Sequence, residues 1–137
     1  MLLVDTNVWL SAADRSSARH AESVAVLRGH SSELAATVPA SAESSWLILD
    51  RLGTSAHTEF LNRVVDGSLR RIELLQQDWV RIRELCAQYA DLTLDLVDAS
   101  IVAAAERLKL DTIATYNHRD FRVIVPTHVA NFVLLPD

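Results

Sequence analysis

The residues of this chain that could do chemistry are carboxylates, and their placement says more than their number. Asp5 closes the short apolar run Leu2-Leu3-Val4, Glu43 stands four positions after Pro39, and Asp95 and Asp98 lie three apart at the head of an apolar stretch. Two helical residues three apart share a face, roughly 5–6 Å from each other at Cβ. Each acid taken singly has an ordinary structural role open to it. Asp5 and Asp95 are good helix N-caps, and Glu43 suits the positive end of a helix dipole. Asp95 with Asp98 at the third helical position is close to a capping box. Asp98 fits such a role least well. Ala99 and Ser100 follow it in a segment that reads as buried, and no Lys or Arg lies within eight residues on either side. A buried charge requires a partner, so a metal ion or a distant arginine is expected there.

The acids become informative together. Crowded carboxylates repel unless they are protonated or share a cation. Oxygen ligands without a Cys or His set favour Mg²⁺ or Mn²⁺ over zinc. Such ions engage substrate phosphates, acidify a bound water and stabilise charge on a scissile phosphate.

The elements that must position these acids read as short apolar strands alternating with longer helices. Leu2-Leu3-Val4 suits a strand buried on both faces of a parallel sheet. A helix pattern with Val8, Trp9, Leu10 and Ala12 follows, then a second at about 17–30. Residues 36–38 are expected as a strand closed by Pro39, with Pro39 and Ser41 opening a helix that runs to Gly53. Further helices are expected at 55–66, 76–89 and 95–108, and further strands at 69–74, 111–115 and 131–135. The 95–108 segment is apolar nearly all round, so it should pack centrally. This alternation predicts an α/β fold, three layers α/β/α around a mostly parallel central sheet. Ligands of such sheets bind beyond the carboxyl ends of the strands, and each of these acids falls at a strand end or at the start of a helix.

At this point the motifs resemble those of PIN-domain ribonucleases. Leu2-Leu-Val-Asp5-Thr6-Asn7-Val-Trp-Leu10 looks like the first motif, and Pro39-Ala-Ser-Ala-Glu43 like the second, ten residues before Gly53. Leu94-Asp95-Leu-Val-Asp98-Ala99-Ser100 resembles the third, and Thr115-Tyr-Asn117-His-Arg-Asp120-Phe121 the fourth. Together they span residues 2 to 121, and the short chain is similar to the VapC toxins of type II toxin–antitoxin pairs, a single PIN-like domain over 1–137. The resemblance implies Mg²⁺- or Mn²⁺-dependent endonucleolytic cleavage of RNA. It makes Asp5, Glu43 and Asp98 the acids that hold metal and water, with Thr6 and Asp95 as auxiliaries. Many relatives carry aspartate where this chain has Asn117, so the fourth position falls to Asn117 or to Asp120. That departure bears on a second metal ion more than on activity. The resemblance also implies a homodimer and a small VapB-like antitoxin that covers the site, often with an arginine among the acids. Relatives cut tRNA or ribosomal RNA, and the target here is not legible in the motifs.

His118, Arg119 and Arg122 flank the proposed site as candidates for RNA contact, with solvated surface as the alternative. His20 reads as surface, Trp9 and Trp46 as core or interface rather than base-stacking platforms, and Cys86 as a core thiol.

Composition sets the bounds. The 137 residues, half of them hydrophobic and 23% charged, suit one globular domain. One cysteine forbids a disulfide framework within the chain. No signal-peptide pattern and no apolar run near the roughly 20 residues of a membrane span is present, so a soluble cytoplasmic protein is expected. A net charge of −5 is unusual for an RNA binder. Acids gathered at a cation site soften that objection, as do basic residues that are arginine at every position but Lys109.

The rival readings fare worse. A non-catalytic PIN-like module binding RNA or protein is favoured by Asn117 and opposed by the retention of Asp5, Glu43 and Asp98. A receiver domain needs a late lysine that Lys109 is wrongly placed to supply. A haloacid-dehalogenase-like enzyme needs two aspartates flanking one residue, whereas Asp5 precedes Thr6 and Asn7. A Rossmann domain needs a glycine-rich turn after the first strand, which is absent.

Overall fold

A computed structural model describes residues 1–137. Five strands form one sheet: β1 (Leu2–Val4), β2 (Leu34–Thr37), β3 (Arg70–Ile72), β4 (Thr112–Ala114) and β5 (Val133–Leu135). Their order is β3-β2-β1-β4-β5, and every pairing is parallel. The expected mostly parallel sheet is therefore wholly parallel.

The strands alternate their side chains between two cores. Leu2, Val4, Leu34, Ala36 and Ala114 face one side. There they pack with Val8 and Trp9 of α1 (Thr6–Ala13), Leu27 of α2 (His20–Gly29), Ile48 of α3 (Val38–Leu52) and Phe60 of α4 (Thr54–Asp66). Leu3, Ala35, Ile72, Ile113 and Leu134 face the other. There they meet Ile82 and Leu85 of α5 (Gln76–Gln88), the buried face of α6 (Leu96–Leu108) and Phe121 of α7 (His118–Val123). Period-two alternation on strands this apolar means both faces must be covered. The two helix layers do that.

α6 is buried at Ala99 through Glu106 without a break, as its composition implied. Its buried Glu106 is held by Arg81 of α5, whose Nε and Nη2 donate to the two carboxylate oxygens at 2.7 and 3.1 Å. Thr127 N donates to the same carboxylate at 2.8 Å. Arg107 likewise grips the buried Asp78 at 2.9 Å. Such buried charges are tolerable because they are paired.

Several boundaries differ from the sequence reading. The second strand is Leu34–Thr37, and Val38 already belongs to α3. The reason is Thr37, whose extended backbone and side-chain oxygen, accepting from Ala40 N at 3.3 Å, make it the N-cap. Helix α4 stops at Gly67, which takes φ +83°, a conformation glycine adopts without strain. The outer strands are shorter than expected, because the ladder needs partners as well as apolar side chains. Helix α7 was not anticipated; six residues give too little periodicity to read. No helix is long and apolar enough to cross a membrane.

Candidate active site

The strand order reverses direction at β1. The chain runs outward from β1 to β2 and β3, then returns by α5 and α6 to place β4 on the other flank of β1. Crevices form at the carboxyl end of such a switch. The first residues past the ends of these strands are Asp5 and Thr115. Strand register sets Val4 beside Ala114, and Asp5 N donates to Ala114 O at 2.8 Å.

Asp5 is 4% exposed. It caps α1, accepting from Thr6 N at 2.8 Å through Oδ1. Its Oδ2 accepts from Thr115 Oγ1 at 2.8 Å and, more weakly, from Asn7 Nδ2 at 3.4 Å. The cap and a place in the cleft are thus one residue's joint duties. Thr6 Oγ1 donates to Ala40 O at 3.3 Å, joining the start of α1 to the start of α3. Asn7 Oδ1 accepts from Tyr116 N at 3.0 Å and fastens the loop after β4.

Asp95 is the N-cap of α6, its Oδ1 accepting from Asp98 N at 2.9 Å. The capping reading of that pair therefore holds for Asp95. Asp98 differs: its carboxylate accepts no hydrogen bond from the protein and turns to the cleft. The base of α6 is tied to β2 by Thr37 Oγ1 donating to Ser100 Oγ at 2.8 Å, while Ser100 donates to Val97 O at 2.7 Å.

These parts meet in a cleft of about 240 Å³, lined by Asp5, Thr6, Asn7, Glu43, Asp98 and Asn117, with Leu10, Leu47 and Arg51 completing the wall. Two roomier hollows lie elsewhere. One, between α1, α2 and α4, takes in Trp9 and His20, whose Nδ1 meets Ser11 O at 3.2 Å. Chemistry is better sought in the smaller cleft, where the acids are.

Electrostatics sets the cleft apart. Burial raises the Asp5 carboxyl to about 6; the Thr115 and Thr6 hydrogen bonds oppose this, and Glu43 and Asp95 add to it. Burial likewise raises Asp98 to about 7, helped by the charges of Asp5, Asp95, Asp120 and Glu43. The only ion pairs in the chain join Arg81 and Arg107 to Glu84, Glu106 and Asp78, so none neutralises these acids.

No three acidic, His or Cys side chains converge tightly enough to ligate one ion by themselves. The donor set nonetheless fits Mg²⁺ or Mn²⁺. It is all oxygen, and Mg²⁺ keeps several waters and uses one or two direct carboxylates. Burial and the neighbouring carboxylates hold both Asp5 and Asp98 above the ordinary carboxyl range, and a cation beside them would favour their charged forms.

At the fourth motif, Asn117 lines the cleft and its Nδ2 donates to Asp120 Oδ2 at 3.1 Å. Asp120 stands behind it and acts on Asp98 through charge. Arg119 and Arg122 are exposed on α7. His118 is half-buried, with Nε2 enclosed and unpartnered. Trp9 is buried, Trp46 is 61% exposed, and Cys86 is half-buried at the edge of the core. Thr115 and Arg51 escaped the sequence reading. Thr115 was visible as the first residue of its motif, and Arg51 as the position two helical turns after Glu43.

The fold and cleft define a three-layer α/β/α protein with an acidic crevice at its sheet's switch point. The model of the PIN domain matches residues 2–125, and the chain belongs to that family. It is similar to Ribonuclease VapC26 of Mycobacterium tuberculosis, 22% identical over 135 residues that cover 98% of this chain and all of the relative. Among solved structures it resembles Mycobacterium tuberculosis VapC20, described as a sarcin-ricin-loop-cleaving toxin. The TM-score is 0.76 at 16% identity, over 82% of this chain and 87% of that one. It also resembles a chain of a toxin–antitoxin complex from Klebsiella pneumoniae. That TM-score is 0.68 at 23% identity, over 97% of this chain and all of the other.

Proposed function

We propose that this protein is a metal-dependent endoribonuclease, the toxin of a toxin–antitoxin pair. The observation that carries this is the cleft at the switch point. Three acids, one just past β1 and the others on α3 and α6, line it without a protein cation paired to any of them. PIN-family membership and the likeness to a VapC ribonuclease along the full chain support the reading.

Asp5, Glu43 and Asp98 would hold Mg²⁺ or Mn²⁺, directly or through water. The ion, when bound, supplies positive charge to the scissile phosphate and acidity to a water. Thr115 and Thr6 N fix the Asp5 carboxylate. Asp95 holds the first turn of α6 and so sets the height of Asp98. Asn117 contributes a neutral amide where an acid would add charge. The likeness to a toxin–antitoxin complex supports a VapB-like antitoxin as partner, and the exposed Trp46 and Leu49 on α3 suit a homodimer contact.

The test is cleavage of total bacterial RNA by antitoxin-free wild type and Asp5→Asn, each with Mg²⁺, Mn²⁺ or EDTA. Discrete fragments from wild type alone, lost in EDTA, are expected. A folded wild type that cuts nothing in either metal would leave the non-catalytic module, with Asn117 as the cause.

A further inference from the structure

We propose that Arg51 grips an RNA phosphate at the acid cleft and is a substrate-binding residue of this protein; the assignment rests on the nuclease reading. Glu43, Leu47 and Arg51 recur at four-residue spacing on α3, and all three line the cleft. That spacing keeps them on one helix face, so Arg51 stands two turns along the same wall as Glu43. Among the charged side chains of the cleft it is the only cation, beside Asp5, Glu43 and Asp98.

Its guanidinium is free. Arg81 and Arg107 are spent on buried carboxylates, while Arg51 enters no ion pair and no hydrogen bond. It does not reach any of the three acids within ion-pairing distance, so it does not plug the cleft. A plainer role exists, since Arg51 lies in the last turn of α3, where a cation meets the negative end of the helix dipole. That role does not require a place on the cleft wall. Three carboxylates repel an approaching phosphodiester. One divalent ion and one guanidinium together match their charge, and a guanidinium takes two phosphate oxygens at once. Arg119 and Arg122 are exposed on α7, whose N-cap Asn117 also lines the cleft. An RNA strand running between α3 and α7 would meet arginine on both helices.

The experiment is fluorescence anisotropy with a short, labelled, mixed-sequence single-stranded RNA. It is run in EDTA so that cleavage does not enter the readout, across a salt series, with thermal melts alongside. Arg51→Gln is expected to weaken binding about tenfold, the effect of losing one hydrogen bond to a charged group. It should flatten the log–log salt slope by about 0.7, the value for one lost phosphate contact on a single strand. The melting temperature should hold. Arg51→Lys should restore the slope but not the full affinity, because the point charge returns without the fork. Arg51→Gln matching a wild type that binds RNA would overturn the assignment and leave the nuclease reading intact. A wild type that binds no RNA at low salt would overturn the assignment, and the metal-dependent cleavage assay would then decide the nuclease reading separately.

Discussion

Thr115 Oγ1 donates to Asp5 Oδ2 at 2.8 Å, joining residues 110 positions apart in sequence. The same hydroxyl accepts from Asn117 N at 2.9 Å, so its proton is committed to the carboxylate. A hydrogen bond to the charged form lowers a carboxyl pKa, and this one works against the burial that lifts Asp5 to about 6. Thr115→Val keeps the shape and removes the donor. The Asp5 pKa should rise further, so the acid limb of the cleavage profile moves to higher pH. The rate should fall roughly 10–100-fold, the usual cost of losing a group that orients a metal ligand. Thr115→Ser should restore both. Identical pH profiles for wild type and Thr115→Val would reduce Thr115 to a packing residue.

How much of this was legible in the sequence depends on the range of the interaction. Asp5, Glu43 and Asp98 were visible because each sits at an element's end and α/β topology gathers such ends at one edge. The cap at Asp95 was visible because capping is local. Thr115 had no local signal for its role, since its partner is set by the register of β1 beside β4. Helix α7 and the true start of α3 were missed for another reason. A six-residue helix carries little periodicity, and a strand passing straight into a helix through Thr37 leaves no polar gap to read.

Asp95 and Asp98 should separate in their effects. Asp95 caps α6 with its side chain, whereas the Asp98 carboxylate accepts no hydrogen bond from the protein and is raised to about 7. Asp98→Asn removes a poorly compensated charge with no loss of cap. It should therefore abolish cleavage while holding or raising the melting temperature above neutral pH. Asp95→Ala should cost about 1 kcal/mol of stability, the usual worth of an N-cap, and retain partial cleavage. The two variants need only be compared by calorimetry and one RNA assay. An unfolded Asp98→Asn would assign Asp98 to the architecture of α6 instead.

The raised carboxyls fix the sign of the metal-free protein's pH dependence. Asp5 at about 6 and Asp98 at about 7 both lie above the ordinary 3.8. Between about pH 4 and about pH 7 the folded state binds more protons than the unfolded, so their contribution to stability falls as pH rises. It levels off above that window. In EDTA, the melting temperature of wild type relative to the Asp5→Asn, Asp98→Asn double variant should therefore decline across the window. Added Mg²⁺ competes with those protons, so its stabilising effect should grow over the same range. A difference that stays flat with pH would mean the two acids already have a partner in solution.

Asn117 tests the fourth position. Its Nδ2 donates to Asp120 Oδ2 at 3.1 Å, and it lines the cleft in front of that acid. Asn117→Asp exchanges this donor for a second carboxylate. Without metal the variant should melt lower than wild type, because it loses a hydrogen bond and gains like-charge repulsion. With metal it should bind Mg²⁺ more tightly, since the new charge joins the cleft wall. Asp120→Asn should act in the opposite direction. It removes one of the charges that raise Asp98, so the Asp98 pKa falls and the acid limb of cleavage moves to lower pH. Titration calorimetry with Mg²⁺ reads the first effect, and a pH–rate profile the second. Unchanged Mg²⁺ affinity in Asn117→Asp would put position 117 outside the reach of the ion and leave Asp120 to act on Asp98 by charge alone.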